Sequence, residues 1–373
     1  MRPDPSSFRR RVLVGVTGLA PQVVTETVYA LALQRQPAFV PTEIHIVTSE
    51  LGAKAASQSL LDGGDGQLGR LCNEYGLSPI RFDTDCIHVL TDGEGRPIGD
   101  LKTPEPQTMA ADAITGLIQE LTRDDSAALH VSLAGGRKSM SFYMGYAVSL
   151  FGRAQDRLSH VLVSEPFEEV KDFFYPPRIP RNMMTRNGNM VSTSEAHIVL
   201  AEIPFVQLRH YLPRELLLGG ARFSDVVDAV GETVGPPTLV FDEATKRLQC
   251  SGVEVEMQHY PLALYLWLAR RAARGETQNG AISLRNTDAA GFLSEYAQLV
   301  GLHSGDFANA EKLLESGFDE NDFRSKVSLV KKALIRALGQ YGAEPYLIAR
   351  FGSRGRSSYG LTLSAADIRF KTD

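Results

Sequence analysis

The apolar positions of this chain change period repeatedly, and each change marks an element. Residues 11–18, RVLVGVTG, are a short apolar run of the kind that forms a buried strand, closed by a glycine turn. Pro21 suits the first position of a helix, where its missing N–H costs nothing. Val24, Val28 and Leu31 then mark that helix's inner face at steps of three and four. The alternation returns with a strand from Glu43 to Thr48 ending at Ser49, helical spacing from about Ala53 to Leu61 and from Gly66 to Tyr75, and an apolar run from Cys86 to Leu90 before the turn TDGEGRPIGD. A helix over Thr108 to Leu121 leads into the most informative stretch, LHVSLAGGRKSMSFYMGYAVSLFG, residues 129–152. It reads as strand, Gly-rich turn (Gly135-Gly136), then a helix whose apolar face is Met140, Tyr143, Met144, Ala147, Val148 and Phe151. One more strand is expected at Val161 to Val163.

Strands alternating with helices predict an α/β fold, a mostly parallel sheet with helices on both faces. In such sheets ligands sit beyond the carboxyl ends of the strands. The turns after Val16, Val47 and Leu133 are therefore expected to converge at one edge.

The pattern then loosens. Residues 172–188 read as a loop or an edge hairpin, and HIVLAEIPFVQL, 197–208, as a strand that Pro204 confines to an edge or a bulge. Periodicity is lost from Pro213 to Pro237, which puts a domain boundary near 225–237 and predicts domains 1–225 and 226–373. The second begins with two or three short strands in TLVFDEATKRLQCSGVEVEM. Helices follow at Tyr260 to Ala273, Ala289 to Val300, Asp306 to Glu315 and Asp322 to Leu338. The last carries Phe323, Val327, Val330, Leu334 and Leu338 on one face and Ser325, Ser328, Lys332 and Arg336 on the other. A hairpin, Tyr346 to Arg350 and Tyr359 to Leu363, has the tip FGSRGRSS. Helices followed by a basic helix and a basic hairpin outline a winged helix-turn-helix of α+β class.

At 373 residues the chain has room for two ordinary domains. Three scattered cysteines, Cys72, Cys86 and Cys250, make neither a disulfide framework nor a zinc site. They read as reduced thiols, which fits a cytoplasmic protein. No apolar run approaches the ~18 residues that span a membrane. The basic start is interrupted too early by Gly15, Gly18 and Pro21 for a signal peptide. The formal charge of −5 hides an asymmetry: from Asn321 to Asp373 ten Lys/Arg face four Asp/Glu. A basic C-terminal piece on an acidic body raises double-stranded DNA as a partner.

For chemistry, Lys138 falls in the first turn of a helix after a glycine turn. The N–H groups there lack helical partners and carry partial positive charge, so a phosphate is favoured. Neither Gly-x-Gly-x-x-Gly nor a Walker pattern is present, and no His/Asp/Glu cluster has metal-ligand spacing. No metal and no cofactor are expected.

With VGVTGLAPQVVTETVYAL, SLAGGRKSMSFYMGYAVSLFG and LAEIPFVQLR in view, residues about 10–210 resemble the CRISPR-associated ring nuclease family. Its members carry a CRISPR-associated Rossmann-fold (CARF) sensor domain. The resemblance implies a Rossmann-like domain, a homodimer and a joint pocket for cyclic oligoadenylate, the tetramer being expected, which some members cut without metal. By position, Thr17 and Lys138 inherit the catalytic roles. Gly18, Gln22, Thr25, Ser49, Gly135, Gly136, Arg137 and Ser139 are the candidate ligand contacts. Arg137 reads equally as solvent-facing and Thr25 as a helix-surface residue. Glu26 reads as a first-turn carboxylate, and Met140, Met144 and Trp267 as packing. Many relatives end in a ribonuclease domain marked by Arg, four to six residues, then His; His259 and His303 have no arginine at that spacing. The C-terminal part more weakly resembles the winged-helix domain of response regulators, which makes Lys332, Arg336, Arg350, Arg354 and Arg356 candidate contacts to DNA phosphates. The rival to ring cleavage is a transcription regulator that senses the ring and leaves it intact; a ligand-activated nuclease is a further alternative.

Overall fold

The computed structural model describes residues 3–61, 66–220, 222–234, 236–277, 280–284, 289–315, 317–352 and 357–372. The chain divides into two compact units, one of Met1–Arg209 with Leu218–Ser224, the other of His210–Leu217 with Asp225–Asp373.

In the first unit, strands β1 (Arg10–Val16), β2 (Glu43–Thr48), β3 (Ile87–Val89), β4 (Ala127–Ser132) and β5 (Arg157–Val163) are parallel. A hairpin of β6 (Asn182–Met184) and β7 (Met190–Ser192) stands apart, and β8 (Ile198–Glu202) closes the sheet antiparallel to β5. The order β3-β2-β1-β4-β5-β8 puts β1 and β4 in the centre. That is why their sequences are nearly continuous apolar runs: both faces are covered. The mostly parallel sheet and this order are compatible with a Rossmann-like domain.

Helix α1 (Gln22–Tyr29), extended by a turn over Ala30–Gln34, buries Val24, Val28 and Leu31 against Leu13, Ile44 and Ile46. Helices α2 (Glu50–Ala56) and α3 (Gln67–Tyr75) follow β2. Helix α4 (Pro104–Leu121) packs on α5 (Lys138–Phe151). Met140 and Met144 of α5 are core, as the spacing predicts.

Several boundaries differ from the sequence expectation, each for a physical reason. Helix α2 begins at Glu50 because the Ser49 hydroxyl accepts from Gly52 N and caps it. Helix α4 begins at Pro104, not Thr108, with proline in its first turn. Strand β5 starts four residues early: Ser159 is a buried polar position whose Oγ meets His130 Nε2 at 2.7 Å, so its polarity hid the strand. Strand β8 ends before Pro204, which has no N–H to donate. The aperiodic region holds two helices, α6 (Arg214–Leu218) and α7 (Phe223–Val234).

The first strands of the second unit are β9 (Leu239–Asp242), β10 (Arg247–Cys250) and β11 (Val253–Glu254), antiparallel neighbours in the order β11-β10-β9. Then come α8 (His259–Ala273), α9 (Ala290–Val300), α10 (Gly305–Leu313) and α11 (Glu320–Gly342). A hairpin of β12 (Ile348–Phe351) and β13 (Ser358–Leu361) follows, with Ile282 bridging to Tyr359. The sequence reading missed β14 (Ile368–Lys371), which pairs parallel to β9. Phe323, Val330, Leu334 and Leu338 of α11 join Tyr265 and Trp267 of α8 in one core, so Trp267 packs. Helix α11 breaks at Gly339, whose φ of +74° suits glycine.

Candidate functional site

The turns after β1 and β4 and the start of α2 meet at the carboxyl edge of the first unit's sheet, and glycine makes the meeting possible. Gly135 (φ +93°) and Gly136 (φ +67°) sit in the left-handed region. A Cβ on Gly135 would lie 2.8 Å from the Val16 carbonyl, and one on Gly136 3.2 Å from Val16 Cγ2. Gly18 faces Gly136 Cα, 3.7 Å from where its own Cβ would stand. From the other side α2 presents Gly52, where a Cβ would fall 2.0 Å from Thr48 Oγ1 and 2.9 Å from Gly18 O. Thr48 Oγ1 donates to Thr17 O at 2.8 Å, and Ser141 Oγ donates back to Leu133 O and Gly135 O at 3.1 and 3.2 Å. The turns are therefore locked before any ligand arrives.

Lys138 opens α5 at this edge. It is exposed, and no described residue pairs with it. The N-cap residue is Arg137 and no side chain caps the turn. Lys138 adds an unpaired cation where the helix dipole is already positive, with no acidic residue in the first turn. Local rules disfavour that arrangement for stability alone, and such violations cluster at functional positions. The N–H groups of Lys138 and Ser139, ahead of the first helical hydrogen bond, can take an anion's oxygens. Ser139 is half-buried.

The remaining candidates fall differently. Thr17 is 1% exposed, and its Oγ1 has no partner among the described residues. It lines an internal cavity of about 10 Å³ with Thr27, Val23 and Ser132, so its side chain faces inward, not the open edge. Thr25 is fully buried, its hydroxyl donating to Phe174 O at 2.7 Å; it holds the loop after β5 onto α1 and is not on the helix surface. Gln22 donates to Lys171 O at 2.7 Å, which ties it to the same loop. Ser49 is half-buried and caps α2. Arg137 is held by Asp100, which accepts from Nε at 2.6 Å and pairs with the other guanidinium nitrogen. This bond, with Lys102 at 3.2 Å, pulls the Asp100 carboxyl down to about 2. Asp100 gave no signal in the sequence, because the pair joins positions 37 residues apart.

Glu26 corrects a second expectation. It is 7% exposed, its side chain has no hydrogen bond or ion pair among the described residues, and burial pushes its carboxyl up to about 8. It is a neutral acid at pH 7, not an ionised first-turn carboxylate.

In the second unit Lys331 and Lys332 are exposed on α11. Arg336 donates to Glu215 Oε1 at 2.8 Å, and Arg350 to Ser357 Oγ. Arg354 and Arg356 lie outside the described residues. Among the described residues no group of three or more His, Cys, Asp or Glu side chains could hold a metal ion, and no helix is long and apolar enough to cross a membrane.

No curated protein matches this sequence. A family model described as CRISPR-associated protein NE0113 (Cas_NE0113) matches residues 20–234, which include α1, Gly52, the Gly135-Gly136 turn and Lys138 but not the turn at Gly18. That match covers more than half of the chain, and the chain belongs to the CRISPR-associated protein NE0113 family.

Proposed function

We propose that the first unit is a CARF domain that binds cyclic oligoadenylate, in size the tetramer, at the carboxyl edge of its sheet. Two copies pair so that their edges face one ring, since a two-fold pocket offers the same groups to both halves of a symmetric ligand. The observation that carries this reading is Lys138: an exposed, unpaired cation at an uncapped helix start, beside turns held by Gly18, Gly52, Gly135 and Gly136.

The ring is then cut by its own ribose. A 2′-OH attacks the adjacent phosphorus in line, the P–O5′ bond breaks, and the products are a 2′,3′-cyclic phosphate and a 5′-OH. The 2′ proton is lost as the oxygen bonds phosphorus, and the leaving 5′ oxygen gains one. The N–H groups from Gly136 to Ser139 fix the phosphate oxygens, which supplies alignment. Lys138 offsets the charge of the phosphorane and stands where a proton is needed by the leaving oxygen. Thr17 contributes through its backbone, whose carbonyl is held by Thr48. No imidazole is among the residues of these turns, so turnover is slow.

Incubating the protein with cyclic tetra-adenylate in EDTA and resolving products by chromatography tests the reading. Linear products ending in a cyclic phosphate support it; an intact ring that is nevertheless bound supports sensing alone. The second reading, a regulator that senses the ring and acts on DNA, is favoured by the second unit's element order. The four helices α8 to α11, the last of them long and followed by a hairpin, support a winged-helix reading, with Lys331 and Lys332 on the exposed side of α11.

A further inference from the structure

The outward stripe of α5 holds an aromatic ring that neither the core nor the turns use. Phe142 follows Lys138 by four residues, so the two side chains share a helix face, about 6 Å apart along the axis. Phe142 is 59% exposed. A lone exposed hydrophobe needs no explanation, but this one is braced. Tyr143 and Tyr146 each approach it at 5.8 Å, with interplanar angles of 70° and 42°. Both tyrosines rest on Phe223 at 5.4 Å. Helical side chains lean toward the N-terminus, which tips the ring toward the Lys138 turn. An open, fixed π-surface therefore lies next to an unpaired cation. Its neighbours on the stripe, Gly145 and Ser149, are small or polar, so the patch is one ring wide and falls far short of a protein-sized apolar surface.

We propose that Phe142 is a stacking platform for the purine base of a nucleotide whose phosphate sits at Lys138. The inference rests on reading the first unit as an oligonucleotide-binding domain. It adds a base-recognition subsite on α5 to a pocket otherwise built from turns. The cation and the amide N–H groups take the phosphate, and the neutral ring takes the base, because every base presents a π-face. Recognition through stacking favours large purine faces without reading their edges.

The test uses the full chain with cyclic tetra-adenylate and, separately, inorganic pyrophosphate. Phe142→Ala is expected to weaken ring binding about tenfold or more and to leave pyrophosphate binding unchanged. Phe142→Trp is expected to keep ring affinity and to change indole emission on binding; the wild type, whose one tryptophan, Trp267, is buried in the other unit, supplies the baseline. Equal ring affinity in Phe142→Ala, or unmoved emission in Phe142→Trp, overturns the proposal. So does a smaller sedimenting species for Phe142→Ala, which would assign the ring to a contact between copies. A wild type that binds pyrophosphate and not the ring overturns the parent reading, a result distinct from all of these.

Discussion

Gly18 and Gly136 lie on turns more than a hundred residues apart in sequence, yet a methyl group on Gly18 would touch the Cα of Gly136 at 3.7 Å. The contact brings the carboxyl ends of β1 and β4 together and leaves no side chain between them. A pocket for a large anion needs that: backbone N–H groups at the surface, with nothing bulky in front of them.

Gly135→Ala is expected to damage both fold and site. The φ of +93° costs an alanine about 1–2 kcal/mol, and its Cβ would press on the Val16 carbonyl at 2.8 Å. Urea unfolding should show a loss at or above that size. Full stability in the variant would mean the turn is not locked as described.

Lys138→Ala should keep stability at the wild-type level or raise it slightly, because it removes a cation from the positive end of a helix. If the ring is cut as proposed, the variant's single-turnover rate should fall about 100-fold or more. Unchanged turnover would remove Lys138 from the chemistry.

Glu26 predicts a pH dependence of definite sign. Its carboxyl is raised to about 8 in the fold against 4.5 when exposed, so between those values the folded chain keeps a proton that the unfolded chain releases. Its contribution is fully present below pH 4.5 and is lost as pH rises toward 8. Glu26→Gln should therefore melt higher than wild type at pH 8, with the difference vanishing near pH 4.5. Parallel melting curves for the two proteins across that range would refute the assignment.

His45 and His88 bend the profile the other way. His45 Nδ1 and His88 Nε2 are 2.9 Å apart on adjacent strands, and burial holds both rings below the ordinary histidine value. His88 also feels His45, while Glu43 beside His45 is already engaged by Arg10. The stability this pair contributes is present above pH 6.5 and is lost as pH falls, since the unfolded rings accept protons that the folded pair resists. His88→Asn should flatten the acid limb between pH 6.5 and 5; an unaltered limb would show that other groups set it.

If α11 contacts DNA, the double variant Lys331→Ala with Lys332→Ala should weaken duplex binding uniformly across sequences. Each lost phosphate contact should reduce the slope of log affinity against log salt by about 1. Arg336→Ala is expected to matter less, its guanidinium being committed to Glu215. Gel shifts at graded salt would show the slope, and absence of duplex binding by the wild type at low salt would end the DNA reading.

The alternation of apolar runs with helical spacing determined the parallel sheet by itself, because β1 and β4 are covered on both faces and must read as unbroken apolar strands. Lys138 was legible for the same local reason: a strand, two glycines and a helix fix where a first-turn residue stands. What the sequence could not decide is which way a side chain turns once several elements press on it. Thr17 and Thr25 look alike as polar residues near a strand end, yet packing under α1 and against the loop after β5 sends both hydroxyls inward. Asp100 reaches Arg137 only through the fold, and Glu26 becomes a neutral acid only because tertiary burial strips it of water. Periodicity is a property of neighbours in sequence, whereas burial, pairing and charge state are set by neighbours in space.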